Sequence, residues 1–148
     1  MKIIFEKVKN QKYTILIFHI NNEHQTRKFS VNTKKFTLEN HNKWLKKILK
    51  NKKEIIYLAR VKNQIVGLIR CKNYRKRNYL SWAVKKSFRG KGIGKKMLKK
   101  FLEKNKKSFF AKIKKQNYRS LKICESAGFK KFRENSNFKF YLKSKFYI

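Results

Sequence analysis

The six residues Arg89-Gly90-Lys91-Gly92-Ile93-Gly94 hold three of the five glycines in a chain of 148 residues that has no proline. Glycine at these spacings permits positive φ and removes Cβ atoms that would keep a ligand off the backbone. Successive N–H groups can then turn into one concavity at the positive end of a helix. The chemistry this offers is anion binding, with a pyrophosphate as the fitting ligand. Arg89, Lys91 and Lys95 add positive charge around it. The plain alternative is a β-to-α turn with no ligand. A P-loop would need Gly-x-x-x-x-Gly-Lys-Ser/Thr. The dinucleotide fingerprint would open a parallel βαβ unit followed by a ribose-binding acid. Neither pattern is present.

The loop needs a strand before it and a helix after it. Asn78–Val84 is a β-rich run, and Ile93, Met97, Phe101 and Leu102 recur at helical spacing up to about Asn105. Upstream, Ile3–Val8 reads as a strand. Tyr13–Ile20 is apolar throughout, so strand and helix are not separable by period. Thr37–Leu49 reads as a helix capped by Thr37, with Leu38, Trp44, Leu45, Ile48 and Leu49 on its apolar face. Ile55–Arg60 and Ile65–Cys71 flank Lys62-Asn63-Gln64, a hairpin signal. Downstream, Phe109–Ile113 is a strand, and Asn117 caps a helix that stops at Gly128. Phe129–Phe132 and Phe138–Phe146 close the chain as strands. The mixture implies one α+β (α/β mixed) domain over residues 1–148.

The bulk numbers set bounds. Hydrophobic residues make up 41% of the chain, with 13 Phe, enough for a core and too aromatic for disorder. No apolar run is long enough to cross a membrane, and no signal peptide opens the chain. Cys71 and Cys124 lack metal-ligand spacing, so no metal is expected; both read as reduced thiols in a cytoplasmic protein. The net charge of +36 suits anionic ligands. The lysines are spread along the whole chain, with a codon-like excess of Lys, Asn, Ile and Phe, which disfavours a dedicated nucleic-acid surface.

The segment Val84–Leu98, with Arg89-Gly90-Lys91-Gly92-Ile93-Gly94 at its centre, resembles the central motif of the GNAT acetyltransferase superfamily, Gln/Arg-x-x-Gly-x-Gly/Ala after a strand. The segment Asn117–Phe129 resembles the family's second motif, Asn-x-x-Ser/Ala followed by Gly-Phe, and Gly67 also falls at a family-like position. The resemblance implies a GNAT fold, a central mixed and mostly antiparallel twisted sheet flanked by helices. It implies acetyl-CoA as cosubstrate, with residues 77–128 as the binding core. Trp82, Ala83 and Val84 would face the pantetheine and acetyl groups. The amides of Arg89, Gly90, Lys91, Gly92, Ile93, Gly94 and Lys95 would hold the pyrophosphate. Asn117 and Ser120 would meet the cofactor arm, although Asn117 also fits simple helix capping.

The reaction so implied is direct attack of a neutral amine on the thioester. It needs a proton acceptor, an N–H that polarises the thioester oxygen, and relief of the leaving thiolate. Many family members place Tyr seven residues after the motif Asn. Here that position is Cys124, a weak hydrogen-bond donor. The candidates for proton work are His41, Cys124 and Tyr141, with Tyr118 eligible on residue type.

Residues up to about 50 would carry the acceptor side. Asn22–Ser30 and Thr37–Trp44 resemble a GNAT branch with the pattern Asn-Asp…Arg-x-x-Ser…His-x-x-Trp. That branch includes the acetyltransferases of pseudaminic and legionaminic acid biosynthesis, which act on nucleotide-linked 4-amino sugars. Its preceding Trp-Arg pair is Ile20-Asn21 here. The likeness implies Asn22, Arg27, His41 and Trp44 as acceptor-binding residues, with Arg27 placed to pair with a diphosphate. Trp44 equally fits the apolar helix face, and His41 a cap or surface position. Other amines (a protein N-terminus, a polyamine, a small metabolite) and a non-enzymatic basic module stay open as alternatives, as does a homodimer.

Overall fold

The computed structural model describes residues 1–145. The chain runs β1 (Ile3–Lys7), a 3-10 turn (Gln11–Tyr13), α1 (Thr14–Asn22), α2 (His24–Lys28), α3 (Leu38–Lys50), β2 (Glu54–Val61), β3 (Gln64–Tyr74) and β4 (Arg77–Val84). A second 3-10 turn (Lys86–Phe88) leads to α4 (Ile93–Lys104), β5 (Phe109–Lys114), α5 (Tyr118–Ser126), β6 (Lys130–Glu134) and β7 (Phe138–Lys143). The last strand is Phe138–Lys143; the expected strand end at Phe146 lies outside the described residues.

The strands form one sheet in the order β1-β2-β3-β4-β5-β7-β6. Every neighbouring pair is antiparallel except β4–β5. This is the mixed, mostly antiparallel sheet with flanking helices that the sequence implied.

The ambiguous run Tyr13–Ile20 folds as a helix. Ile17, Ile20 and Asn21 recur at three- and one-residue steps on one side and are all buried. They pack with Leu45 and Ile48 of α3 over Ile56, Leu58 and Leu68. Thr37 Oγ1 accepts from the Asn40 N–H at 3.1 Å and so starts α3 as expected. Leu45 is fully buried, and its truncation to Ala would cost about 2–5 kcal/mol. α2 has no counterpart in the hydrophobic pattern. Its cap does the work, since the Glu23 carboxylate accepts from the Gln25 and Thr26 amides.

A second core lies on the opposite face of the sheet. Met97, Leu98 and Phe101 of α4 pack there with Leu121 and Cys124 of α5 over Ile69, Leu80, Phe109 and Ala111. Strand alternation assigns neighbours to opposite faces. Leu68 belongs to the α1/α3 core and Ile69 to the α4/α5 core, so Arg70 shares the face of Leu68. By the same rule Ser81 and Ala83 face α1/α3, while Trp82 and Val84 face α4/α5.

The parallel β4–β5 contact is a single register pair, Tyr79↔Phe110. Beyond it β4 and β5 separate, so the C-terminal end of β4 borders an open wedge on its β5 side, while β3 stays paired with it up to Gly67↔Val84. Among the described residues, no helix is long and apolar enough to cross a membrane.

Candidate active site

The wedge opens into a cleft of about 1320 Å³ that passes from the α4/α5 side to the α1/α3 side of the sheet. Its wall includes the β4 end (Leu80–Val84), the glycine loop, the start of α5, and residues of α1, α2 and α3. Arg27, Arg70, Lys86, Arg89, Lys95, Lys112, Arg119 and Lys122 contribute cationic side chains to this wall. No Asp or Glu lines it among the described residues.

The three loop glycines divide their work. Gly90 and Gly92 have φ of +77° and +74°, a backbone state that L side chains resist. A Cβ at either would meet nothing within 4 Å, so the space above them is open. Gly94 is inside α4, where a Cβ would come within 2.8 Å of Ile123 Cδ1 and 3.3 Å of Val84 Cγ2. It allows α4, α5 and β4 to close on each other. The first intrahelical bond to Gly92 runs from the Lys96 N–H at 3.2 Å. The amides of Ile93, Gly94 and Lys95 precede it and have no carbonyl four residues back within the helix. Gly92, Ile93, Gly94 and Lys95 all line the cleft, so these amides and the helix dipole suit an oxyanion.

Arg89 departs from the expectation. Its amide donates to Lys86 C=O at 3.2 Å, and its Nε–H donates to Val84 C=O at 3.0 Å. The guanidinium pairs with Glu23 at 2.8 Å and donates to Thr26 Oγ1 at 3.3 Å. It ties α2 to the β4–α4 loop, with its Nε and Nη2 donors spent on protein. Burial alone would raise the Glu23 carboxyl, but Arg89 and the Gln25 and Thr26 amides outweigh it and hold it low. Lys91 also departs: it does not line the cleft, and its ammonium lies 5.7 Å from the Phe88 ring centre. Asn117 and Ser120 do line it, and Asn117 Oδ1 caps α5 by accepting the Ser120 N–H at 3.3 Å. Trp82, Ala83 and Val84 line the wedge as expected.

Two of the proton-transfer candidates lie elsewhere. Cys124 is fully buried in the α4/α5 core, and burial holds its thiol well above the usual range. Tyr141 is 1% exposed, with its hydroxyl donating to Glu125 Oε1 at 2.7 Å. Burial, then Glu125, raises its pKa. Neither side chain lines the cleft, because α5 and β7 turn both into the core. Tyr118 does line it and is 69% exposed.

His41 is the candidate that faces the cleft. It is 2% exposed, stacked on Phe36 at 5.8 Å and tilted against Trp44 at 5.5 Å. Its Nε2 lies 3.1 Å from the Thr14 carbonyl. A carbonyl only accepts, so Nε2 carries the proton and Nδ1 presents a lone pair. Burial pushes the imidazole pKa down against the opposing Thr14 bond, which keeps the ring neutral.

Of the expected acceptor contacts, Asn22 and Arg27 both hold the chain's own backbone. Asn22 pairs both amide atoms with the Phe36 backbone at 3.1 Å and does not line the cleft. Arg27 lines it, but its guanidinium donates to Asn21 C=O, Asn32 C=O, Lys34 C=O and Ser30 Oγ, shaping the segment between α2 and α3. Trp44 lines the cleft and stacks under Arg70, 4.9 Å away. Sequence reasoning missed Arg70, although a charge inside the apolar run Ile65–Cys71 was a usable signal. Among the described residues, three buried side-chain polar atoms have no partner: His41 Nδ1, Arg70 Nε and Trp82 Nε1. All three residues line the cleft.

A family described as acetyltransferase (GNAT) domain matches residues 2–130. No curated protein matches the sequence. Among solved structures, the N-acetyltransferase PseH of Campylobacter jejuni, in complex with acetyl coenzyme A, is 18% identical, with 97% of this chain and 99% of that one covered and a TM-score of 0.74. The spermidine N-acetyltransferase of Vibrio cholerae, in complex with CoA and spermine, is 11% identical over 95% and 94%, with a TM-score of 0.82. RimL, a ribosomal L7/L12 α-N-protein acetyltransferase in complex with coenzyme A, is 12% identical over 97% and 94%, again with 0.82. At these identities the likenesses establish the fold, and the match over most of the chain establishes the family. This chain belongs to the GNAT acetyltransferases and is an acetyl-CoA-dependent enzyme.

Proposed function

We propose that this enzyme acetylates the amine of a nucleotide-linked amino sugar. The observation that carries the acceptor reading is the cleft's charge: many cationic side chains and, among the described residues, no carboxylate. A polyamine would find no counter-charge there, whereas a diphosphate-bearing acceptor would.

On this reading the cosubstrate supplies an activated acetyl thioester. The open backbone at Gly90 and Gly92 and the amides of Ile93, Gly94 and Lys95 hold its pyrophosphate. Asn117 and Ser120 flank the arm on the α5 side. A backbone N–H of the Trp82–Val84 segment, on the side of β4 that β5 leaves open, polarises the thioester carbonyl. His41 Nδ1 accepts the proton that the amine sheds as its C–N bond forms and the C–S bond breaks. The departing sulfur leaves as a thiolate and takes a proton from water at the cleft mouth, where Tyr118 stands.

Thermal shift with acetyl-CoA, followed by a free-thiol release assay, tests this. Acetyl-CoA raises Tm, and a UDP-linked 4-amino sugar turns over with kcat/KM at least about tenfold above spermidine or a peptide N-terminus, the gap from one charge-assisted contact. Preference for spermidine would overturn the acceptor reading. A Tm indifferent to acetyl-CoA would remove the donor site from the loop.

A further inference from the structure

Arg70 carries an unused donor in a place where charge is unbalanced. It shares the α1/α3 face of the sheet with Leu68, on the side of the cleft away from the glycine loop. Its guanidinium is held from two directions. One NH2 pairs with Glu54 Oε1 at 2.5 Å, and the group lies over Trp44 at 4.9 Å. Glu54 is itself mostly buried, with a side chain 10% exposed. The Arg70 Nε–H is buried without a partner, while 30% of the Arg70 side chain is exposed. A guanidinium fixed this way has already lost the freedom that binding would cost it.

Arg27 adds to the demand. All of its donors go to neutral oxygens, so no carboxylate offsets its charge. Arg70 is close enough to Arg27 to make holding both protons harder, after burial the larger cause. Two guanidiniums and one carboxylate, Glu54, leave this wall with an uncompensated positive charge. An unbalanced cation in a half-buried wall favours an anion, and the 30% of the Arg70 side chain that stays exposed offers guanidinium N–H groups to its oxygens.

Trp44 joins this guanidinium to the imidazole. His41 and Arg70 both contact Trp44, from 5.5 Å and 4.9 Å, so the group that would take the amine proton and the group that would bind an oxyanion border the same indole.

We propose that Arg70 is an acceptor-binding residue whose exposed guanidinium N–H groups, supported by the Arg27 charge, donate to an oxygen of the phosphate attached to the sugar ring, while the amine of the same sugar reaches His41. This rests on the nucleotide-sugar reading and deepens it. It makes Arg70, held by Glu54 and Trp44, the group that favours a phosphate-linked sugar over the free sugar.

The test separates the two. UDP binding is measured by calorimetry with the donor site saturated by CoA, beside kcat and KM for a UDP-linked 4-amino sugar. Removing Arg70 alone strands the Glu54 carboxylate, so Arg70→Gln is made both alone and with Glu54→Gln. Both variants are expected to weaken UDP binding and raise the acceptor KM by about tenfold or more, the loss of a charge-assisted hydrogen bond. CoA affinity should stay at the wild-type value. Arg70→Lys, which keeps charge but not the fork, should recover only part of the loss. If wild type turns over the nucleotide sugar and the variants bind UDP unchanged, the Arg70 assignment falls and the function stands. If CoA affinity falls in step with UDP affinity, Arg70 is a strut and the assignment also falls. If wild type neither binds UDP nor uses the nucleotide sugar, both readings fall together.

Discussion

His41 has one nitrogen committed and one available, which is what a general base requires. The Thr14 carbonyl fixes Nε2–H at 3.1 Å, and Nδ1 is left bare beside Phe36 and Trp44. Burial lowers its pKa from the ordinary 6.5, so the ring is neutral at pH 7. His41→Gln should lower kcat/KM by about 10²- to 10⁴-fold, the usual range for a positioned base, with acetyl-CoA affinity unchanged. The wild-type pH–rate profile should carry an acid limb below pH 6.5 that this variant lacks. An equal limb in both would remove His41 from the proton path. Stability follows the same sign. The unfolded chain takes up the His41 proton first as pH falls, so the residue's contribution is complete above about pH 6.5 and is lost toward the lower folded pKa. Cys124 and Tyr141 show the contrast, since each is pushed upward by burial and neither reaches the cleft.

The glycine loop works as an element because its members do different jobs. Gly92→Glu puts a carboxylate in the open space above the loop at a φ of +74°. The left-handed backbone costs about 1–2 kcal/mol there. Acetyl-CoA should then no longer raise Tm, while the apo protein keeps its far-ultraviolet spectrum. Gly94→Val should do the reverse, lowering apo Tm by about 1–3 kcal/mol worth of overpacking against Ile123 and Val84. Unchanged coenzyme affinity in Gly92→Glu would move the phosphate site elsewhere. Elements like α4 were legible because Met97 and Phe101 keep helical period against an amphipathic background. α2 was not, because His24–Lys28 is polar throughout and is held by the Glu23 cap and the Arg89 pair. The run of apolar residues in α1, Ile15–Phe18, carried no period to read, and its packing against α3 decided it.

At the scale of the whole molecule, the two halves of the cleft differed in legibility for a physical reason. The side proposed for the donor is made of backbone, and backbone shape is written locally in Gly90, Gly92 and the cap at Asn117. The side proposed for the acceptor is made of side chains from α1, α2, α3 and β3 that meet only in three dimensions. Sequence spacing alone therefore could not separate Arg27, already saturated by carbonyls, from Arg70, whose Nε–H is unpartnered. The net charge of +36 adds a property that belongs to no single residue. A cleft with cationic walls and no carboxylate among the described residues concentrates that field on anionic ligands. Screening shortens its reach from about 10 Å at 0.1 M salt to about 3 Å at 1 M. Raising salt across that range should cut kcat/KM for acetyl-CoA by about tenfold or more. The same series with acetyl-pantetheine, which lacks every phosphate, should stay nearly flat. Parallel losses for both donors would mean that salt acts on the fold, and equal indifference would mean that the charge has no part in capturing the donor.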